Sequence, residues 1–438
     1  MKTLPRFAWQ GLGLIIFFGA GITTAQAQIV NFPSSTDDHS FDSAHQVALD
    51  GIIPEGILLS ASPDSEQEAE VKNQLKYTLG YFNNLEGGVQ LPDLKVQLLG
   101  RERLPHGLTR IRYSAQLLIS WSRARQIPSQ LQLILPEKVD DASIETYFQT
   151  YGTSCVSEND ATVAGFWYFY RPLSCSLRSP RAGDLAVRFP ISLRLSAINT
   201  EGKAPEYGKI WEDGELTATF VVGKYSSGAT STEDVGIQNY NAIYSGLFST
   251  FGQPVAVSPA INGLPGAQYP EMHLTFNLSQ NRRAVIHLLL VDELSSVGAE
   301  FKAKYSRLTE VSDLVIYNGH SGLGANIANL NRMGRFKAGK YQIFMINGCD
   351  SLSYADHTLF EAHQRVNPAY APTKYLDVII NAMPAYFNQM AHASLQLLSA
   401  TLGSQKTYRQ ILAQVDPSQK AIVIGEEDNQ WPETFGAP

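Results

Sequence analysis

The chain has 438 residues, of which 44% are apolar and 17% charged, with 20 Tyr, 20 Phe and 5 Trp. A chain so rich in core-forming residues is not disordered, collagen-like or a charged tail, and its length makes two domains the default. The net charge of -7, from 41 acidic against 34 basic residues, excludes a general nucleic-acid binder, whose surface would carry a basic stripe.

At the start of the chain, Lys2 and Arg6 precede an apolar stretch, residues 12–22, that ends in Ala25-Gln26-Ala27. This pattern predicts a secretory signal peptide over residues 1–27 and a mature chain that begins near Gln28. The apolar part is too short to cross a bilayer comfortably. No later stretch reaches the roughly 18 unbroken apolar residues a membrane helix needs, so no membrane span is expected. With no cysteine near the cut to carry a lipid anchor, the expected destination is the bacterial periplasm or the medium.

Residues 28–205 read as an α+β domain with antiparallel strands. Residues 65–85 have helical periodicity and open with acidic side chains, as a helix N-terminus prefers. Residues 89–98, 109–121 and 131–135 are strand-like in their β-branched and aromatic content. In an oxidising compartment Cys155 and Cys175, twenty positions apart, are expected to pair and staple a short loop, stabilising by roughly 3 kcal/mol. Between them the aromatic run 166–170 reads as a strand, with one face in the core and one packed outside, or as a binding surface. Residues 199–205, with Gly202 and Pro205, mark the domain boundary.

Residues 206–438 alternate strand and helix, the pattern of a mostly parallel sheet covered on both faces. Strands are expected at 284–291, 314–317, 343–346 and 378–380, and helices at 298–310, 327–336 and 387–402. Ligand sites in such sheets lie beyond the carboxyl ends of the strands. There the third expected strand runs into Asn347-Gly348-Cys349-Asp350-Ser351, and the second into Asn318-Gly319-His320-Ser321-Gly322. A single crossover through the 327–336 helix would make these strands parallel and adjacent, so that imidazole and thiol face one crevice. An ion pair with imidazolium would bring the thiol below its usual value of about 8.5, and the histidine could protonate a leaving group. The neighbouring glycines allow backbone N–H groups to approach a developing oxyanion. Cys349, unpaired, is either an inert buried thiol or one kept for chemistry.

At these residues the chain resembles the caspase-like cysteine peptidases, the clan that includes caspases, metacaspases, gingipains, clostripain and separase. The shared pattern is an apolar strand ending in His-Gly, followed by a second apolar strand ending in a small residue and Cys. The resemblance covers roughly residues 284–402 and implies a caspase-like mostly parallel sheet flanked by helices. It also implies peptide-bond hydrolysis, with His320 as general base and acid and Cys349 as nucleophile acting on a peptide or protein substrate, and no required cofactor. The oxyanion hole of the family would fall on the backbone N–H groups of Ser321 and Cys349, with Gly322 and Gly348 shaping it. Ser321 stands where the family usually has Gly, and Gly348-Cys349-Asp350-Ser351 matches no single subfamily.

Asp292, Glu293 and Asp350 are candidate substrate-binding acids that could select a basic group, a solvated loop being the alternative for the first two. Asp356, His357, Glu361 and His363 follow the cysteine, and His357 and Glu361 would share a helix face, a spacing compatible with metal binding. An ordinary solvated helix gives the same pattern. Glu426, Glu427, Asp428 and Asn429 could hold a structural calcium or form a plain acidic turn. Two other functions therefore stand beside peptidase: a non-catalytic exported binding protein on the same scaffold, and a metal-dependent hydrolase.

Overall fold

A computed structural model describes residues 40–158, 161–402 and 406–425. The expected signal peptide and the 426–429 turn lie outside the described residues. Among the described residues there are fourteen strands: β1 (Phe41–Asp42), β2 (Gln46–Ser60), β3 (Gly88–Arg103), β4 (Thr109–Ser122), β5 (Gln130–Pro136), β6 (Ala186–Leu195) and β7 (Glu215–Gly223), then β8 (Ala256–Ser258), β9 (Glu271–Asn277), β10 (Arg283–Val291), β11 (Leu314–Asn318), β12 (Gln342–Asn347), β13 (Leu376–Asn381) and β14 (Ala421–Gly425). They form two sheets within one compact body.

The smaller sheet has the order β3-β4-β2-β6-β5 and is antiparallel throughout. The helical periodicity of residues 65–85 resolves into two helices, Gln67–Leu75 and Tyr77–Asn83, which meet at Lys76. Val71, Leu75, Tyr77 and Phe82 from these helices are buried with Leu49, Ile53, Tyr113 and Leu117 of the sheet. Cys155 and Cys175 are disulfide-bonded, with Cα atoms 5.2 Å apart.

The run between the cysteines is not a strand. Phe166–Phe169 is a single helical turn that follows Gly165. Residues four apart share a helix face, and the turn uses this to bury Phe166 and Tyr170 together, ring centroids 5.6 Å apart, among the aromatic residues of the small sheet. A strand would have placed Tyr168 on that same face. In the helical turn it points the other way.

The larger sheet has the order β1-β14-β13-β12-β11-β7-β10-β9-β8. Its five central strands, β13 to β10 in that order, run parallel, and both flanks are antiparallel. The sheet is thus mixed, and the expected parallel character holds at its centre. The reason is connection length. Five residues, 278–282, join β9 to β10, enough for a hairpin and too few for a crossover. Helices Val235–Phe251 and Phe387–Ala400 cover one face, and Ala299–Val311, Ala325–Met333 and Thr358–Val366 the other, so both faces of the central strands are buried. Such two-sided burial explains the nearly unbroken apolar runs of β11, β12 and β13.

Candidate active site

β11 and β12 are adjacent and parallel, with Asn318 opposite Asn347, and β13 lies on the other side of β12. Helix Ala325–Met333 supplies the crossover between β11 and β12. All three strands end in a buried asparagine: Asn318, Asn347 and Asn381. Asn381 Nδ2 donates to Asn347 Oδ1 at 2.8 Å. Asn318 Nδ2 donates to Asn239 Oδ1 at 3.2 Å, and Asn318 Oδ1 accepts from Ser394 Oγ at 2.9 Å. Asn239 Nδ2 in turn donates to the Phe387 carbonyl at 2.8 Å. This row is a polar floor, tied to the two helices on one face, beneath the loops that follow the strands. Sequence reasoning passed over it, although the pattern of apolar strand, asparagine and small residue recurs three times: Tyr317-Asn318-Gly319, Ile346-Asn347-Gly348 and Ile380-Asn381-Ala382.

The two loops above this floor touch. A Cβ at Gly348 would lie 2.7 Å from Ser321 Oγ and 3.1 Å from the Gly319 carbonyl, so only glycine permits the approach. Ser321 Oγ donates to the Cys349 carbonyl. The His320 carbonyl is held by Tyr317 Oη at 2.7 Å and Asn326 Nδ2 at 2.8 Å. Gly322 adopts φ +59°, a left-handed turn that glycine makes without strain. Among the described residues the amide N–H groups of Ser321 and Cys349 have no hydrogen-bond acceptor.

The two reactive side chains are at the same sheet edge but on separate partners. His320 Nε2 lies 3.1 Å from the Tyr225 carbonyl, and its ring packs between those of Tyr225 and Phe387, at 5.0 and 4.9 Å. The partly buried Cys349 thiol donates to the Ala385 carbonyl at 3.4 Å. Burial first, and the Asp350 carboxylate second, push this thiol up to about 11. The expectation of a thiol lowered by imidazolium is therefore corrected. Desolvation and a neighbouring negative charge both favour the neutral form.

Asp350 is fully buried, with φ +48°. Its Oδ2 accepts from Tyr168 Oη at 2.6 Å. Burial raises its carboxyl to about 6, opposed by the Tyr168 hydrogen bond and by the nearby Arg171 guanidinium. That guanidinium donates to the carbonyls of Gly80, Tyr168 and Tyr170. Asp350 is thus an internal anchor and offers no open face to a substrate. Asp292, at the end of β10, is separated from β11 by β7 and pairs with Lys224 at 2.8 Å. The exposed Glu293 accepts from Ser295 Oγ at 3.3 Å.

The second cluster does not converge. His357 pairs with Asp93 at 2.8 Å, whereas His363 is buried against Phe336, ring centroids 4.3 Å apart. Among the described residues no group of three His, Cys, Asp or Glu side chains could hold a metal ion. Tyr168, Arg171, Tyr225 and Phe387 border the reactive pair and were not singled out from sequence. Their places depend on tertiary packing, and only the aromatic run 166–170 gave any signal.

No protein-family model, no curated protein and no solved structure matches this chain.

Proposed function

We propose that the chain is an exported cysteine peptidase of the caspase-like kind, with Cys349 as nucleophile and His320 as its proton partner. The observation that carries this reading is the placement of His320 and Cys349 at the carboxyl ends of adjacent parallel strands, on loops joined through Ser321. The amide N–H groups of Ser321 and Cys349, which have no acceptor among the described residues, suit an oxyanion. In the proposed reaction the Cys349 proton passes to His320 and the sulfur attacks the scissile carbonyl. The oxyanion is held by those two N–H groups, and His320 returns the proton to the leaving amine. Water then cleaves the thioester. The disulfide and the leader-like segment support a periplasmic or extracellular place of action.

The binding-protein reading is favoured by two specific observations: burial favours the neutral thiol, and His320 is turned to the Tyr225 carbonyl. Mixed-peptide cleavage and labelling with a peptidyl electrophile separate the two. Wild type is expected to cleave and to be labelled at Cys349, and Cys349→Ala to do neither. His320→Ala should lose about 10²–10⁴-fold in turnover, the usual size of general acid–base catalysis, yet keep part of its labelling. Equal cleavage by wild type and Cys349→Ala overturns the dyad. No cleavage by either, at full folding, transfers the case to the binding protein.

A further inference from the structure

The helical turn between the disulfide-bonded cysteines lies against the candidate nucleophile. Phe166 and Tyr170 fix the turn by burial beside Tyr77, at 6.1 and 5.4 Å. Backbone bonds from Ser157 N to the Phe169 carbonyl and from Arg171 N to the Cys155 carbonyl lock it to the disulfide. Tyr168, on the opposite side of the turn, crosses to the large sheet. Its hydroxyl donates to Asp350 and is close enough to interact with the Cys349 thiol. Trp167 packs edge-on against Tyr354, 6.5 Å between centroids, in the short helix Ser351–Tyr354 just beyond the cysteine. Tyr168 is 8% exposed, so its ring is packed away from solvent with its hydroxyl on the residue next to Cys349.

We infer that the turn Phe166–Phe169 is a built-in cover which restricts access to the partly buried Cys349 through Tyr168, and that displacement of Tyr168 from Asp350 exposes the thiol further. The inference rests on the peptidase reading for its biological meaning, since a cover regulates only if the thiol has work to do. Its physical content stands apart. The disulfide keeps the turn in place, and the turn reaches the cysteine loop through the Tyr168 hydroxyl and through the contact of Trp167 with Tyr354. Release requires rotation of Tyr168 with the hydrophobic core of the small sheet left intact.

The test is the rate of Cys349 alkylation by iodoacetamide in the intact, non-reduced chain, located by peptide mass. The reaction joins the cysteine sulfur to the reagent's methylene carbon, expels iodide and gives the thiol proton to buffer, so it needs no turnover. Tyr168→Phe keeps the ring and loses one hydrogen bond, and is expected to react roughly 5-fold faster. Tyr168→Ala removes the ring as well and is expected to react more than about tenfold faster. Trp167→Ala, which loosens the same turn from the other side, should also react faster. Should Tyr168→Ala fail to fold, judged by its melting curve, Tyr168→Phe and Trp167→Ala decide. Wild-type rates in the folded variants overturn the cover. Faster alkylation without peptide cleavage by any form keeps the cover and rejects the peptidase. Cleavage by wild type with unchanged alkylation rejects the cover and keeps the peptidase.

Discussion

A thiol raised to about 11 is present at neutral pH as thiolate to the extent of about 10⁻⁴, and the thiolate is the species that reacts. The ionisable groups that face it are Asp350, Tyr168 and Tyr354, with Glu158 farther off. Burial and the Asp350 and Glu158 carboxylates resist negative charge on the sulfur, and the Tyr168 hydroxyl opposes them only in part. Alkylation of Cys349 is therefore expected to rise about tenfold per pH unit from 7 to 10 and to level off near 11. Asp350→Asn removes the nearest charge and should move the plateau to lower pH. A wild-type plateau near 8.5 would contradict the burial described. The strand-end positions of His320 and Cys349 were legible in the sequence because Asn-Gly interrupts two apolar runs at the same register. The state of the thiol was not. It is set by burial and by an aspartate whose own environment is tertiary.

At the scale of elements, the three asparagines that end β11, β12 and β13 fix how far each strand extends before its loop begins. Asn347→Ala leaves Asn381 Nδ2 buried without its acceptor, a loss expected to cost about 1–3 kcal/mol. It should lower the denaturant midpoint with the slope of the transition unchanged. An unaltered midpoint would mean that the row bears no weight. The central strands β10, β11, β12 and β13 and the helices Ala299–Val311, Ala325–Met333 and Phe387–Ala400 could be read from apolar runs and periodicity, whereas the central strand β7 and the helix Val235–Phe251 were not read. The turn Phe166–Phe169 could not. Consecutive aromatic residues carry strong β-propensity, and only the joint burial of Phe166 and Tyr170, with Tyr168 opposed, reveals the helical spacing. The antiparallel pairing of the flanks was equally hidden, since the partners of β8 and β14 are chosen by connection geometry.

For the whole molecule, acid sensitivity has an identifiable source. His363 is buried, neither ring nitrogen has a partner among the described residues, and burial lowers it from 6.5 to about 3. Between those values the unfolded chain binds a proton that the folded chain refuses. The stability this group permits is complete above pH 6.5 and falls as pH drops toward 3. His287, lowered to about 4 by burial and then by His273, acts in the same direction. Asp313 and Asp350, raised to about 6, oppose them between pH 6 and 4. His363→Phe removes one proton-refusing group at similar volume. Its melting temperature relative to wild type is expected to rise as pH falls from 8 to 5, and a constant difference would assign the acid limb elsewhere. A different consequence attaches to β1. Asp42 and Phe41 pair with Val423 and Ile424, Ser40 Oγ donates to the Gly425 carbonyl, and Arg409 grips Asp42. Phe41 also bonds through its backbone to Ile198 and Thr200, but a chain that emerges from its N-terminus must leave the β14 side of these residues unpaired until almost all the rest has followed. Closing so long a loop is entropically slow. The flank of the large sheet beside β14 is thus the last seam to close, and until then β14 presents an open edge through which two unfinished chains can stick together.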